Sequence, residues 1–220
     1  MKPQSTTLSD TKKRILEVAG VVFGKAGFES ATVREICRQA GVNVAAVNYH
    51  FGDKKGLYLA TLKYWLTTVA QKYPLELGKE RPGPPEERLR TFVLQFISRI
   101  HESHQGEESW FKNLMVMELM KPTEGLDIVI KEVIKPTFGV LSGIAGELMG
   151  KGANEKAIRL CCASIVGQSL FFFYAQPIIK KLFPVKAPYV TDVKSIADHI
   201  TLFSLDSMKT FAAKQKGGKS

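Results

Sequence analysis

Long apolar runs are missing from this 220-residue sequence. The longest, Ser169-Leu-Phe-Phe-Phe-Tyr-Ala175, is far shorter than the roughly 20 residues that a membrane-spanning helix needs. Residues 1–9 are polar and lack the apolar core of a secretion signal. We therefore expect a cytoplasmic protein that has no membrane partner.

Cysteine is scarce as well. The sequence has three, Cys37, Cys161 and Cys162, and an odd number with two adjacent members argues against a disulfide framework. Reduced thiols fit this pattern better. The adjacent pair would sense oxidants only if it were exposed and reactive, so in an apolar helix we expect two buried packing residues.

Signatures of catalysis and metal binding are also absent. The sequence has no glycine-rich phosphate loop, no Gly-x-Ser-x-Gly elbow and no His-Glu-x-x-His motif. His101 and His104 are three residues apart, but we identify no third ligand that would complete a metal site with them. We therefore expect a protein that is not an enzyme and needs no metal or cofactor.

Negative charge is in short supply. The chain has 31 Lys and Arg residues against 21 Asp and Glu residues, which gives a formal net charge of +10. Such an excess favours polyanionic partners, whether nucleic acid, an anionic membrane surface or acidic proteins. Charge alone does not separate these partners.

Helical periodicity runs through almost the whole sequence. Apolar residues recur at helical spacing, and we find no convincing strand, repeat or heptad pattern. The pattern predicts an all-α fold with a loop rich in Pro, Gly and charge at residues 74–85 and a kink or break at Pro136. The predicted helices cover about residues 10–26, 32–40, 43–51, 54–72, 86–103, 109–121, 126–149, 154–174 and 191–213.

The first three helices have the layout of a helix-turn-helix. Thr32 and Glu35 have the spacing of a capping box, and Gly41 supplies a tight turn before the third helix. Such a helix enters the major groove of DNA, where small and amide side chains reach base edges. The predicted base-edge contacts are Val44, Ala45, Ala46 and Asn48, and the predicted phosphate contacts are Thr32, Arg34, Tyr49, His50, Lys54 and Lys55.

Aromatic residues at the end of the third helix have two possible roles. We expect Phe51 to pack in the core and His50 to contact phosphate. For Tyr49 the sequence favours neither role over the other.

The segment from Thr32 to Tyr58, together with the turn Phe23-Gly-Lys-Ala-Gly-Phe28, closely resembles the DNA-binding signature of the TetR family of regulators. The family commonly has Tyr two positions before the His, where this chain has Asn48. We expect that difference to alter base preference without abolishing DNA binding. The resemblance implies a DNA-binding domain at residues 1–56 and a helical effector-binding and dimerisation domain at 57–213. The composition of residues 214–220 predicts a disordered basic tail.

The resemblance also implies a mechanism. A homodimer would bind double-stranded DNA at a palindromic operator and act as a repressor that a small, largely apolar effector releases. Trp110-Phe-Lys-Asn-Leu-Met-Val-Met-Glu-Leu-Met-Lys-Pro-Thr123 is similar to one C-terminal subfamily, some members of which are tied to drug or toxin export. Candidate effector contacts are Trp110, Phe111, Met115, Glu118, Phe138, Gln168, Phe171 and Tyr174. Core packing explains the apolar and aromatic members equally well, and ordinary partial exposure is the alternative for Glu118 and Gln168, which would orient the effector.

The alternative is a basic surface-binding or interaction protein without sequence-specific DNA readout. It explains the positive charge but leaves the helix-turn-helix pattern unexplained.

Overall fold

The computed structural model describes residues 8–72, 83–102, 109–182 and 192–217. Every regular element in these ranges is helical, which confirms the predicted all-α class. The elements are α1 (Leu8–Ser30), α2 (Val33–Ala40), α3 (Val44–Phe51), α4 (Lys54–Lys72), α5 (Pro85–Glu102), α6 (Ser109–Met120), α7 (Gly125–Val129), a π-helical turn (Ile130–Ile134), α8 (Lys135–Met149), α9 (Glu155–Tyr174), α10 (Gln176–Leu182) and α11 (Val193–Gly217).

The chain forms two compact units. The N-terminal unit contains α1 to α4, α6, α7 and the π-helical turn, and the C-terminal unit contains α5 and α8 to α11. The units do not follow the predicted boundary at residue 56, because α1 packs against α4 and α6 as well as α2, and α4 packs against α7. The predicted functional division at that boundary stays a prediction.

The N-terminal unit has a core built around α1. The predicted apolar stripe of α1 lies in this core, where Ile15 and Phe23 are fully buried together with Ile36 of α2 and Val47 of α3. Gly27 adopts φ 75°, which favours glycine, and α1 bends there and continues to Ser30 beyond its predicted end at residue 26.

The C-terminal unit is a bundle in which α5 packs against α8, α9 and α11. Its core includes Leu89 of α5, Leu141 of α8, Ile165 of α9 and Ile200 of α11, all fully buried. The side chain of Asn154 accepts a hydrogen bond from the Lys156 N–H and caps α9.

The predicted break near Pro136 is confirmed, whereas α10 and the end of α11 differ from the prediction. The helix expected at 126–149 changes hydrogen-bonding register over Ile130–Ile134, just before Pro136, whose nitrogen cannot donate the bond that a continuous α-helix needs. No helix was predicted over the residues of α10. Helix α11 continues to Gly217, so the tail predicted to be disordered from residue 214 begins inside a helix, whereas residues 218–220 lie outside the described ranges.

Candidate nucleic-acid interface

The turn between α2 and α3 is closed by local hydrogen bonds. The Glu35 N–H donates to Thr32 Oγ1 (3.2 Å), and the Ala46 N–H donates to Asn43 Oδ1 (2.8 Å), so each helix has a side-chain cap. Gly41 has φ 62° and ψ 40° in the left-handed region, where glycine fits without strain. The relative placement of the two helices therefore follows from residues that are close in sequence.

The capping box is only half formed. The Glu35 carboxylate does not reach back to the start of α2, because it accepts hydrogen bonds from Arg38 (2.9 and 2.7 Å) and Gln39 (2.6 Å). The hydrogen bond from Arg38, followed by that from Gln39, lowers the pKa of Glu35 to about 2. Arg38 is thus engaged within α2.

Helix α3 has one buried face and one exposed face. Val47 is fully buried, and Phe51 is half-buried against the same core, as predicted. Val44, Ala45 and Asn48 are exposed, whereas Ala46 is half-buried. Three of the four predicted base-edge residues therefore face solvent together.

The aromatic residues at the end of α3 differ in their exposure. Tyr49 is 78% exposed, which excludes a core role for it within the described chain. His50 is half-buried between its neighbours, with ring centroids 5.1 Å from Tyr49 and 5.9 Å from Phe51. His50 therefore combines packing with a partly exposed ring.

The other residues predicted to contact phosphate differ in exposure and in the protein groups that they contact. Thr32 and Arg34 are exposed at the start of α2. Lys54 donates from Nζ to the Glu29 carbonyl oxygen (2.9 Å), and its ammonium lies 4.8 Å from the Phe28 ring centroid. Lys55 also has a protein partner, since its Nζ lies 2.5 Å from Glu124 Oε1.

Two residues near α3 were missed by sequence reasoning. The side chain of Asp53 accepts a hydrogen bond from the Gly56 N–H (2.7 Å) and so occupies one amide at the start of α4. Asp three positions before that amide is a capping signal that the sequence offered. Lys12 is exposed on α1 with Nζ 5.9 Å from the Phe51 ring centroid, a position that no spacing rule predicts.

Half of the predicted effector residues belong to the N-terminal unit, where they pack around α1 and α4. Trp110 and Phe111 are buried there, and Met115 packs against the same core. The Trp110 ring packs directly against two glycines of α1, since a Cβ added at Gly20 or Gly24 would come within 3 Å of the ring. These aromatic residues anchor α6 to α1.

Glu118 is buried in the same unit with a complete set of partners. Only 1% of the residue is exposed. Its carboxylate accepts hydrogen bonds from the Tyr58 hydroxyl (2.6 Å), the Thr123 N–H (2.8 Å) and the Thr123 hydroxyl (3.0 Å). Burial, then this bond and the charge of Glu118, raise the pKa of Tyr58. Glu118 therefore joins α4 to the turn after α6, a role different from the predicted orientation of an effector.

The other four predicted effector residues belong to the C-terminal unit, so the structure divides the predicted set between the two units. Phe138 is half-buried against the core. Tyr174 is also half-buried, and burial raises its pKa. Gln168 and Phe171 instead lie toward the outer side of α9.

A groove between α9 and α11 contains Gln168. Its volume is about 230 Å³. Exposed apolar side chains surround it on both helices, with exposed fractions between 42% and 59%. The lining residues are Leu160, Cys161, Ser164, Gln168, Phe203, Ser204, Ser207 and Phe211.

The cysteines behave as the sequence predicted. Cys161 and Cys162 are buried, and burial raises the pKa of both thiols, which disfavours the reactive thiolate. Cys37 is buried in α2.

Helix α9 passes a length and composition test for crossing a membrane. It is alone in this respect among the described helices, and 22% of its most apolar 18-residue window is buried. Its buried side faces the core through Cys162 and Ile165, and its outer side forms the groove with α11.

Comparison with known proteins decides the family. The model of the bacterial regulatory proteins of the tetR family matches residues 15–61, and the model of the C-terminal domain of the HTH-type transcriptional dual regulator CecR matches residues 85–208. The chain belongs to the TetR family. It is a DNA-binding transcriptional regulator with a CecR-type C-terminal domain, which confirms both resemblances drawn from its sequence.

Relatives support the same assignment. The chain is 29% identical to CecR of Shigella flexneri over 167 residues, which cover 73% of this chain and 74% of CecR. It is similar in fold to the hemolysin II transcriptional regulator HlyIIR (23% identity, 89% and 99% of the two chains, TM-score 0.58). It is also similar in fold to FadR of Bacillus subtilis, whose structure contains stearoyl-CoA (18% identity, 88% and 97%, TM-score 0.60).

Proposed function

We propose that two copies of this chain bind a palindromic operator, with one α3 in each of two successive major grooves, and repress transcription until a small, largely apolar effector releases them. The exposed face of α3 carries the proposal. Val44, Ala45 and Asn48 are exposed while Val47 fixes the helix to the core. A helix anchored in this way presents its outer face to base edges without unfolding.

Each side chain on that face has a suitable chemistry. The Asn48 amide both donates and accepts, so it suits the edge of an adenine, and Val44 and Ala45 suit a thymine methyl group. Ala46 is half-buried and takes a smaller share of the contact. Thr32, Arg34, Tyr49 and His50 flank the face and would hold phosphates, which position the protein without adding sequence information.

Lys54 and Lys55 would exchange their protein partners for phosphates. The Lys55–Glu124 pair is exposed on both sides, so water and salt weaken it and little free energy is lost when it opens. Glu124 therefore competes with DNA for Lys55. The same reasoning applies less strongly to Lys54, which is half-buried.

Dimerisation would use the outer faces of α9 and α11. Phe171 of α9 and Leu202 and Phe203 of α11 are more than half exposed in the single chain, an arrangement more typical of an interface than of a free surface. A second copy would cover the groove between the two helices. Gln168 and Phe171 would then serve the interface in preference to the effector.

The effector would bind within the C-terminal unit. FadR of similar fold binds stearoyl-CoA, a ligand with a long apolar chain. An apolar effector here must bind the released state more tightly than the operator-bound state, because a ligand with equal affinity for both shifts nothing.

The test starts from genomic DNA fragments selected on the purified full-length protein. Enrichment of a palindrome gives the operator, and fluorescence anisotropy then measures affinity for it. Asn48→Ala should weaken binding about tenfold and relax preference at one base pair, whereas Asn113→Ala on the exposed side of α6 serves as the matched control and should change nothing.

Salt dependence tests the phosphate contacts. Lys55→Gln should lower the slope of log affinity against log salt by about one, and Glu124→Gln should strengthen binding by releasing Lys55. Lys63→Gln, on the exposed side of α4, is the matched control. Weak binding without an enriched sequence would contradict the operator proposal and favour the basic surface-binding alternative.

A further inference from the structure

The second half of α5 lies inside the C-terminal unit and yet carries polar side chains. No residue from 91 to 101 is exposed, and α5 packs against α8, α9 and α11. Most side chains on this half are apolar, such as Phe92, Val93 and Ile97. Gln95 and Arg99 are two of its polar residues, and both are half-buried.

Arg99 has a guanidinium without an anionic partner. No carboxylate of the described residues lies within 4.0 Å of it, and it forms no hydrogen bond with them. Burial alone lowers the pKa of Arg99. Two other arginines of the same helix differ in this respect, since Arg88 pairs with Glu147 and Arg90 pairs with Asp198.

Gln95 lies one turn before Arg99 on the same side of α5, and it also forms no hydrogen bond with the described residues. Arg88 lies about three turns before Arg99, so the two point in nearly the same direction, and Arg88 reaches Glu147 of α8. Gln95 and Arg99 therefore occupy the side of α5 that turns toward α8.

The polar ends of these two side chains remain accessible. Among the described residues, the only fully buried side-chain nitrogen or oxygen atom without a hydrogen-bond partner is Arg88 Nε. The unpaired nitrogens of Gln95 and Arg99 are therefore not fully enclosed by the protein. Beside them, Phe92 and Phe96 stack with ring centroids 6.0 Å apart and form an apolar wall.

We propose that Gln95 and Arg99 form the polar end of the effector site and that the effector is an amphipathic organic anion. Its oxyanion head, a carboxylate or a phosphate, would accept two hydrogen bonds from the Arg99 guanidinium and one from the Gln95 amide. Its apolar body would lie against Phe96. The proposal rests on the proposed function, which supplies an effector but leaves its charge open.

The physical reason lies in the cost of an unpaired cation. A half-buried guanidinium loses part of its hydration, and an anion or a set of acceptors restores the lost interaction. The planar fork of arginine matches the two oxygens of a carboxylate or phosphate. A neutral effector of the same size would leave Arg99 desolvated and unpaired.

The experiment compares three probes with the same ten-carbon chain on the full-length protein without DNA, using isothermal titration calorimetry. Decanoate and decyl phosphate carry an oxyanion, and decanamide does not. We expect decanoate, decyl phosphate or both to bind at least about tenfold more tightly than decanamide. Their order identifies the carboxylate or the phosphate as the preferred head.

Variants assign that preference to Arg99. Arg99→Met should remove most of the preference while changing decanamide affinity less than about threefold, and Arg99→Lys should retain part of it because the charge remains without the fork. Arg159→Met, an exposed arginine at the start of α9, is the matched control and should keep the whole preference.

Two results would overturn the proposal: no oxyanion preference in the unmodified protein, or a preference that survives Arg99→Met. Circular dichroism verifies that each variant is folded. Because the probes are titrated in the absence of DNA, either result leaves operator binding untouched, so a failure here is distinguishable from a failure of the regulator proposal.

Discussion

The two units treat a buried charge in opposite ways. In the N-terminal unit, Glu118 is 1% exposed and its carboxylate accepts hydrogen bonds from Tyr58 and Thr123. In the C-terminal unit, Arg99 is half-buried and has no partner among the described residues. A fully buried charge with all its partners acts as a fixed joint between the elements that hold it, whereas a half-buried charge without partners keeps part of its desolvation cost until a ligand supplies them.

The largest expected effect on the free energy of unfolding comes from removing the Glu118 carboxylate. Glu118→Ala would leave the Tyr58 hydroxyl and the Thr123 N–H buried without an acceptor and would open a cavity beside them. We expect the free energy of unfolding, measured by urea titration, to fall by about 3 kcal/mol.

An exposed glutamate provides the control for that change. Glu124→Gln removes one side of an exposed pair, and we expect a loss below about 0.5 kcal/mol. Equal losses for Glu118→Ala and Glu124→Gln would show that the buried carboxylate is not a joint.

Two glycines extend the comparison to packing. A Cβ at Gly125 in the N-terminal unit would lie 2.3 Å from Leu62 Cδ1 and 3.2 Å from Glu118 Cδ, whereas a Cβ at Gly143 of α8 would have no neighbour within 4 Å. Gly125→Ala should therefore lower the free energy of unfolding by about 2 kcal/mol through overpacking. Gly143→Ala should raise it by about 1 kcal/mol, because alanine favours a helix interior.

Thermal and urea unfolding of both variants verify this difference. A stabilising Gly125→Ala would mean that Leu62 yields easily and that the turn after α6 is loosely packed.

Sequence reasoning succeeded where partners are close along the chain. The cap at Thr32 and the turn at Gly41 involve residues within four positions of one another, so spacing alone predicts them. The cap at Asn43 has the same short range, although it was not predicted. The same rule, applied to Asp53, would have found the cap of α4. The exposed face of α3 followed from the same local pattern.

Sequence reasoning failed where partners are distant. Tyr58 and Glu118 are 60 positions apart, and no spacing rule pairs them. The aromatic residues near Trp110 were proposed for an effector because core residues and pocket residues have the same composition. Arg99 was overlooked because an arginine near a helix end usually faces solvent, and only packing reveals its burial.

Arg99 provides a further contrast in the absence of a ligand. Arg99→Met should raise the free energy of unfolding by about 1 kcal/mol, because it removes a desolvated cation and adds apolar contact. Arg88→Met, on the same helix as Arg99, should lower it, since Arg88 is paired with Glu147 of α8. If Arg99→Met destabilises the protein as Arg88→Met does, then Arg99 has a structural partner and the contrast between the units disappears.

The smallest expected effect concerns Glu35, on the surface of the N-terminal unit. Its pair with Arg38 is exposed, so it neither fixes two elements together nor forms a ligand site. Hydrogen bonds from Arg38 and then Gln39 lower the pKa of Glu35 from 4.5 to about 2. A lowered folded-state pKa means that the stabilisation is complete above pH 4.5 and is lost as the pH falls toward 2.

The melting temperature of Glu35→Gln should therefore lie slightly below that of the unmodified protein at pH 7, with the difference closing between pH 4.5 and 2. The difference must be small since water screens this carboxylate, and a difference that stayed constant over that window would assign the loss to helix packing in place of charge.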